Sequence, residues 1–459
     1  WELLGDDARR ALSRLAVFAG GFSVDAAHAV AGAPAELVDE LVDRSLVAAA
    51  PEGRRRLLDT VRAHALERLD GLGETDTTRG RHAAWCLDLA RAIEPDSYLS
   101  ASSADYATFR RELPNLRRGL RYLIETRDGA GASRLIRALA PYLYTDVSRP
   151  EGRQLAALTL ALPGVVPRDR GRILYSDACL TMDMGLADET RATLGEAETL
   201  FTRARDPEGL SMVENLRCFH EASVGNYAAA AEAGEQAVAH AERARSADLA
   251  QIGRDHLAFA LLGLGADCDE RDEEALRRCR DIHLAAIERA ERPYEVFTAA
   301  GNAIPCLLEL DDVALAVACL RRNLEMQREH QFHAPYALLS AAYVADVLDD
   351  PATAIRLLVP CLRELEAKSF ALSRFDRRRI ARLEADAVGA LGAEPLEAIR
   401  REAQRLTAED ALDLAVTVAS SEFAETRRDG ERPGLEGPER GVAEDASSPA
   451  PTSGRASSG

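Results

Sequence analysis

The sequence predicts a mainly α-helical protein: an N-terminal winged helix-turn-helix with a short β-hairpin, then an α-solenoid of helical hairpins, and a disordered C-terminal tail. Ala, Leu and Arg dominate the 459 residues and aromatic residues make up only 5%, a composition typical of helices. Apolar residues recur at three- and four-residue spacing over most of the chain. Helix-turn-helix segments of similar pattern also follow one another after residue 168.

The first predicted domain covers residues 1–75 and begins with three short helices. Asp6-Asp7 are expected to cap a helix over residues 8–19, which Gly20-Gly21 would end. Ser23 is a favourable N-cap for a second helix over residues 24–31, ending at Gly32.

A hairpin and a fourth helix are expected to complete this domain. Pro34 begins a third helix, PAELVDELVDRS. The next residues have the pattern of a short hairpin, with two strands on either side of a Pro-Glu-Gly turn: LVAAA (46–50) and RRRLLD (54–59). The segment TVRAHALERLDGLG follows as a helix. Three helices followed by a hairpin is the order of elements in a winged helix-turn-helix.

Helical patterns continue to residue 420. Residues 78–165 are predicted to be a helical linker region. Residues 168–420 contain four alignable helix pairs, 219–238, 259–287, 304–324 and 341–362, each with a Gly, Asp or Asn turn. They resemble lengthened tetratricopeptide-like repeats, which stack into a solenoid with a concave binding surface; a non-repetitive helical bundle is the alternative. Residues 427–459 are rich in Gly, Pro and Ser and are predicted to be disordered.

Gly20-Gly21 raise the question of a phosphate-binding loop. A P-loop requires G-x-x-x-x-G-K-[ST], and the one lysine of the chain, Lys368, has no glycine near it. A dinucleotide fingerprint requires a preceding strand, whereas these glycines follow a predicted helix. We therefore interpret them as a helix terminator and expect no nucleotide or other cofactor in this chain.

The winged helix suggests DNA binding, but its charges argue against it. Residues 1–75 contain nine Arg against thirteen Asp and Glu, and the third helix carries Glu36, Asp39, Glu40 and Asp43, which phosphates would repel. Arg54, Arg55 and Arg56 on the hairpin are the feature that favours DNA. The alternatives are a solvated hairpin edge or a contact with an acidic neighbour within the chain.

No pattern in the sequence singles out catalysis or a metal site. His330 and His333 lie three residues apart without further ligands nearby, and Asp pairs fall at predicted turns. The eight cysteines include no C-x-x-C pair and are interpreted as buried thiols of a cytoplasmic protein. The net charge of −19 argues against binding to an acidic membrane surface. The sequence also has no apolar run long enough to span a membrane, so we expect no membrane partner.

Three segments of residues 1–75 resemble a known module. RALSRLAVFAGGFSVDAAHAV, LVDELVDRSLV and RRLLDTVRAHALERL are similar to the winged helix that follows the nucleotide-binding domain in bacterial STAND (NB-ARC-type) regulators. The segments 109–125, 134–162 and 391–415 resemble the helical region after it. The resemblance covers residues 1–420.

The resemblance implies a separate role for each domain. An ATPase upstream of Trp1 would bind ATP or ADP, the winged helix would pack against it, and the repeats would sense a protein or small-molecule ligand on their concave face. A Met-His-Asp motif contacts the nucleotide in related proteins; Leu57, Leu58 and Asp59 occupy its positions here. Leu58 cannot donate the hydrogen bond of the histidine.

These observations predict the regulatory and sensor portion of a signal-transduction protein, a transcriptional regulator with no enzymatic activity in this chain. The first residue, Trp1, leads us to expect that the chain is a piece of a longer protein. A repeat scaffold without a switching role and a regulator that binds DNA through the winged helix are the two alternatives.

Overall fold

The computed structural model describes residues 1–93, 103–146, 149–268, 271–330, 335–367 and 372–420. These residues form 21 helices and one two-stranded antiparallel sheet, which confirms the mainly α-helical class. The tail predicted to be disordered, 427–459, lies outside the described residues. Two compact units are present: Trp1–Cys279 with Ser373–Phe375, and Arg280–Leu372 with the chain from Asp376 onward.

The first unit begins with the predicted order of elements: three helices, a hairpin and a fourth helix. Val47, Ala48 and Ala49 pair with Leu57, Arg56 and Arg55 in the hairpin. The elements are α1 (Asp6–Leu15), α2 (Val24–Ala31), α3 (Ala35–Asp43), β1 (Val47–Ala49), β2 (Arg55–Leu57) and α4 (Asp59–Gly71).

The predicted end of the first helix was wrong. Helix α1 ends at Leu15, and Ala16 to Phe18 continue in a tighter turn whose amides donate to carbonyls three residues back. Gly20 and Gly21 lie beyond this turn and neither has a positive φ, so they do not terminate the helix in the left-handed conformation. Their role is in tertiary packing.

The second helix has the predicted ends. The Ser23 hydroxyl accepts a hydrogen bond from the Ala26 amide at 3.1 Å, and Gly32 closes the helix with φ 67°, a conformation that glycine adopts readily. In the hairpin turn, Glu52 and Gly53 both have positive φ, as hairpin turns commonly require. Phe22 pairs with Arg55, which adds a one-residue bridge to the sheet.

Four further helices follow and form a second apolar core. Trp85 packs against both this core and that of α1–α4, so these two cores are contiguous. The four helices are α5 (Thr75–Ile93), α6 (Ser103–Glu125), α7 (Gly129–Asp146) and α8 (Arg149–Leu160).

Ten helices come next, two more than the four predicted pairs account for. Within the described residues α9 packs on α10, α11 on α12, α15 on α16 and α17 on α18. The additional pair is α9 with α10. The helices are α9 (Pro167–Asp183), α10 (Ala187–Ala204), α11 (Pro207–Val224), α12 (Tyr227–Ala244), α13 (Ala247–Ala266), α14 (Glu273–Arg289), α15 (Pro293–Glu309), α16 (Val313–His330), α17 (Pro335–Val347) and α18 (Pro351–Ala367).

The connections between pairs repeat one design. Arg205 and Arg245, each in the sequence Arg-Ala-Arg, take the left-handed conformation after α10 and α12. The next residue, Asp206 or Ser246, then caps the following helix through its side chain. The helices α9, α11, α15 and α17 each begin with proline. Proline fits the first helical position because it lacks an N–H.

Three helices complete the described chain: α19 (Arg374–Leu391), α20 (Ala393–Ala403) and α21 (Ala408–Ala419). Helix α21 begins with a capping box between Thr407 and Asp410 and packs against α16, α17 and α18. None of the described helices has the length and hydropathy to cross a membrane.

Candidate coupling site at the Ala19–Phe22 corner

The corner, defined as residues Ala19 to Phe22, is held by one buried side chain from α6. Asn115 Oδ1 accepts hydrogen bonds from the amides of Ala19 at 2.9 Å and Gly20 at 3.3 Å. Its Nδ2 donates to the Gly21 carbonyl at 3.0 Å. One amide side chain therefore satisfies three backbone groups that no helix or strand pairs.

A buried ion pair joins the hairpin to the same helix. Arg54 donates to the Glu112 carboxylate and to the Gly21 carbonyl. The two side chains are only 12% and 5% exposed, and Asn115 Nδ2 donates to the second Glu112 oxygen at 2.8 Å. Breaking such a pair leaves an uncompensated buried charge, so the hairpin, the corner and α6 are fastened as one polar network.

Gly21 leaves the space that this network needs. A Cβ on Gly21 would lie 3.1 Å from the Arg55 carbonyl oxygen and 3.2 Å from Arg54 Nε. A Cβ on Gly20 would lie 3.6 Å from the Pro114 ring, an ordinary contact. The second glycine is thus the one that allows the hairpin to approach the corner.

These contacts belong to a row along one face of α6, which we call the α6 stripe. Its members are spaced by three or four residues and therefore share a helix face. Each contacts the turn after α1, α5, the corner or the hairpin: Arg118 donates to the Val17 carbonyl at 3.1 Å, Tyr122 donates to the Asp76 carbonyl at 3.1 Å, and Glu125 accepts from Arg79 at 2.5 Å. The α6 stripe comprises Glu112, Asn115, Arg118, Tyr122 and Glu125.

Aromatic and small residues pack beneath the α6 stripe. His82 is buried edge-on against the Phe18 ring, with centroids 5.2 Å apart, and burial lowers the pKa of His82 to about 4. Burial also raises the pKa of the Cys86 thiol. A Cβ on Gly119 would lie 2.9 Å from Cys86 Sγ, so α5 and α6 approach closely only because residue 119 is glycine.

The three hairpin arginines have three different environments. Arg54 is buried against Glu112, as described. Arg55 lies 3.5 Å from the carboxylate of Asp39 on α3. Arg56 is exposed, and no described residue pairs with it. Only Arg56 is thus available to an external anion.

The residues aligned with the Met-His-Asp motif do not share a surface. Leu57 is buried in the core of α1–α4, whereas Leu58 is 44% exposed before the first turn of α4. Asp59 is exposed and pairs with Arg62 at 2.5 Å, and Arg62 in turn donates to the Ala19 carbonyl at 2.9 Å.

The remaining sequence candidates carry no site within the described residues. His330 is at the end of α16, while His333 and Lys368 lie outside the described residues. The residues that the structure describes contain no group of three or more His, Cys, Asp or Glu placed to hold a metal ion.

Sequence reasoning missed the α6 stripe. Glu112 and Asn115 are polar, yet they alternate along α6 with the buried residues Leu113 and Leu116. Polar side chains at helical spacing beside an apolar face were a usable signal. Their partners lie 58 to 96 residues earlier in the chain, which is beyond the reach of any local pattern.

Comparison with known proteins gives local and partial similarity. No model of a protein family matches the chain. A Mycobacterium tuberculosis protein named "Putative HTH-type transcriptional regulator Rv0890c" is 41% identical over 101 residues, which is 20% of this chain and 11% of that protein. "Uncharacterized protein Rv0894" of the same species is 42% identical over 92 residues, 17% of this chain and 23% of that protein. The matched region thus spans less than a quarter of either curated relative.

One solved structure covers most of the chain. It is a signal-transduction ATPase with numerous domains (STAND) with a tetratricopeptide repeat sensor, from Pyrococcus horikoshii. The similarity extends over 91% of this chain and 66% of that one, at a TM-score of 0.48 and 13% identity.

Proposed function

We propose that this chain is the regulatory and sensor portion of a STAND-type signal-transduction protein, a cytoplasmic transcriptional regulator. The observation that carries the proposal is the α6 stripe, which fastens the hairpin-bearing elements of residues 1–71 to the helices that follow them. A movement of the helical array would therefore pull on the corner and the hairpin. The local similarity to a protein named as an HTH-type regulator supports the same class of function.

In this proposal the first six elements are a winged helix that contacts protein. The outer face of α3 carries Glu36, Asp39 and Asp43, all exposed, and carboxylates there would be repelled by DNA phosphates. Two of the three hairpin arginines are already paired within the chain. The upstream nucleotide-binding domain is the partner that we assign to this module.

The helix pairs are assigned the role of sensor, with a protein or small-molecule ligand on their concave face. The chain would have no chemistry of its own and would act by conformational coupling. Ligand binding could then shift the protein between two states only by the difference in its affinity for them. ATP or ADP would be bound by the upstream domain alone.

Nucleotide binding tests this division of labour. Fluorescent ATP and ADP analogues should show no saturable binding to residues 1–459 and saturable micromolar binding to the complete gene product. Micromolar binding to residues 1–459 would contradict the assignment. A complete gene product that binds no nucleotide would favour the non-switching repeat scaffold instead.

A second candidate function is DNA binding through the hairpin, favoured by the exposed Arg56. A gel-shift titration at low and moderate salt tests it, because phosphate contacts weaken steeply with salt. We expect no salt-dependent shift with the wild-type chain and no difference on Arg56→Glu substitution. A shift that Arg56→Glu abolishes and Arg110→Glu, on the exposed side of α6, leaves intact would establish DNA binding and end the protein-contact assignment.

A further inference from the structure

The middle of helix α17, in the second unit, is buried on every side. All residues from Ala337 to Ala345 are buried, whereas a helix at the surface of a repeat array normally keeps one polar, solvated face. Helices α15, α16, α18 and α21 all pack against it, and Tyr343 also contacts Asp376 and Arg379 of α19. The face of α17 that α21 covers is therefore occupied by the chain itself.

Helix α21 contacts this face through small side chains. Ala411, Ala415, Val418 and Ala419 are buried, at the i, i+4, i+7 and i+8 spacing of one helix face. Thr417 on the opposite face is exposed. Small residues let two helix backbones approach closely while burying little apolar area, so the contact is specific in shape but modest in free energy.

Two arginines of α16 hold α21, one at its C-terminal end and one near its middle. Arg321 donates through Nε at 3.3 Å and Nη2 at 3.0 Å to the Ala419 carbonyl, and a cation at a helix C-terminus is favourable. Arg328 pairs with Asp413. The second pair is solvent-exposed and such pairs contribute little.

We propose that the α17 face, flanked by α16 and α18, is a helix-binding groove and that α21 is its resident occupant. The external partner that fits it is an amphipathic helix of another protein. That helix would have small apolar residues at the positions of Ala411, Ala415 and Val418, and a carboxylate at the position of Asp413 to meet Arg328. The inference rests on the proposed sensor function and names its ligand class.

A peptide of residues 405–420, labelled with fluorescein, tests the groove by fluorescence anisotropy. In the wild-type chain the tethered α21 competes at a high effective concentration, so we expect weak binding. In the full chain carrying Leu412→Pro, which prevents α21 from forming a helix but leaves α16–α18 unchanged, binding should be at least tenfold tighter. A chain carrying Ala415→Glu, with a charge at a buried position, should behave in the same way.

Matched peptides provide the controls. A peptide with Ala415→Glu should not bind either chain, and one with Thr417→Glu, at an exposed position, should bind as the unmodified peptide does. Equal binding of the Ala415→Glu peptide, or no binding to either chain variant, would overturn the groove. Dimerisation of the Leu412→Pro chain would also contradict the groove proposal, because this variant has no α21 helix that two chains could exchange.

Circular dichroism separates displacement from unfolding. Both chain variants should lose only the helicity of about one short helix. A larger loss in both would show that α21 is an integral part of the fold rather than a displaceable occupant, and would overturn the proposal. None of these outcomes depends on nucleotide binding, so the groove and the proposed function can fail separately.

Discussion

Substituting Asn115 by alanine should loosen the corner without unfolding the rest of the chain. The side chain bonds the amides of Ala19 and Gly20, the carbonyl of Gly21 and the carboxylate of Glu112. Alanine removes all four bonds and supplies no replacement. The amides of Ala19 and Gly20 then depend on water, and the Gly21 carbonyl keeps only its bond from Arg54.

The expected cost follows from the number of bonds. A hydrogen bond contributes about 1 kcal/mol net, and an unsatisfied buried group costs somewhat more. Gly20 and Gly21 are half-buried, so water replaces part of what is lost. We therefore expect local opening of the corner to become easier by about 3 kcal/mol, which corresponds to roughly 100-fold in an opening equilibrium.

Amide hydrogen exchange measures this opening directly. Peptides that cover residues 17–22 should exchange about 100-fold faster in Asn115→Ala than in the wild type, and peptides from α15 and α16 should be unchanged. Asn323→Ala is the matched control, because Asn323 is also buried and donates to the Phe297 carbonyl at 2.6 Å. It should accelerate exchange in α15 and α16 only. Unchanged exchange over residues 17–22 in Asn115→Ala would refute the role assigned to the α6 stripe.

Three further predictions concern the same junction. Gly119→Ala should lower the thermal midpoint, since its Cβ would meet Cys86 Sγ at 2.9 Å, and Cys86→Ala should restore part of the loss; no loss on Gly119→Ala would contradict the close approach. The pKa of His82 is about 4 in the fold and 6.5 ordinarily, so the unfolded chain binds this proton at a higher pH than the folded chain does. The free energy of unfolding, measured in urea, should therefore fall as the pH drops below 6.5, by about 2 kcal/mol at pH 5. His82→Phe should lack this component, and an identical fall in the variant would contradict the prediction. Arg54→Ala should lower the free energy of unfolding by about 3 kcal/mol, because it leaves Glu112 buried and unpaired. The double variant Arg54→Met with Glu112→Leu should recover most of this loss in the same assay. A double variant no more stable than Arg54→Ala would exclude the unpaired carboxylate as the cause.

Local signals of the sequence predicted local structure well. Ser23 and Gly32 mark the two ends of α2 because an N-cap hydroxyl and a left-handed glycine act on neighbouring backbone. The Pro-Glu-Gly turn marks the hairpin for the same reason. The repeated Arg-Ala-Arg at 203–205 and 243–245 was an equally local signal for the pair α9–α10, and it was overlooked.

Tertiary roles were not accessible from the sequence in the same way. Gly20 and Gly21 were interpreted as a helix terminator, whereas Gly21 is required by the approach of the hairpin and Gly20 lies against Pro114. For Arg54 the sequence left three alternatives open, and its pairing with Glu112 is a contact across 58 residues. No helical or strand period records which distant carboxylate an arginine will meet.

The α6 stripe sets a rule for how this part of the gene can vary. From Glu112 to Glu125 the contacts follow a helix with a rise of about 1.5 Å and a rotation of about 100° per residue. Inserting one codon there would turn every later member of the row away from its partner, whereas the loops on either side can lengthen at little cost. In an alignment of related genes, insertions and deletions should therefore collect outside codons 112–125, and the rare length changes inside should come as whole turns.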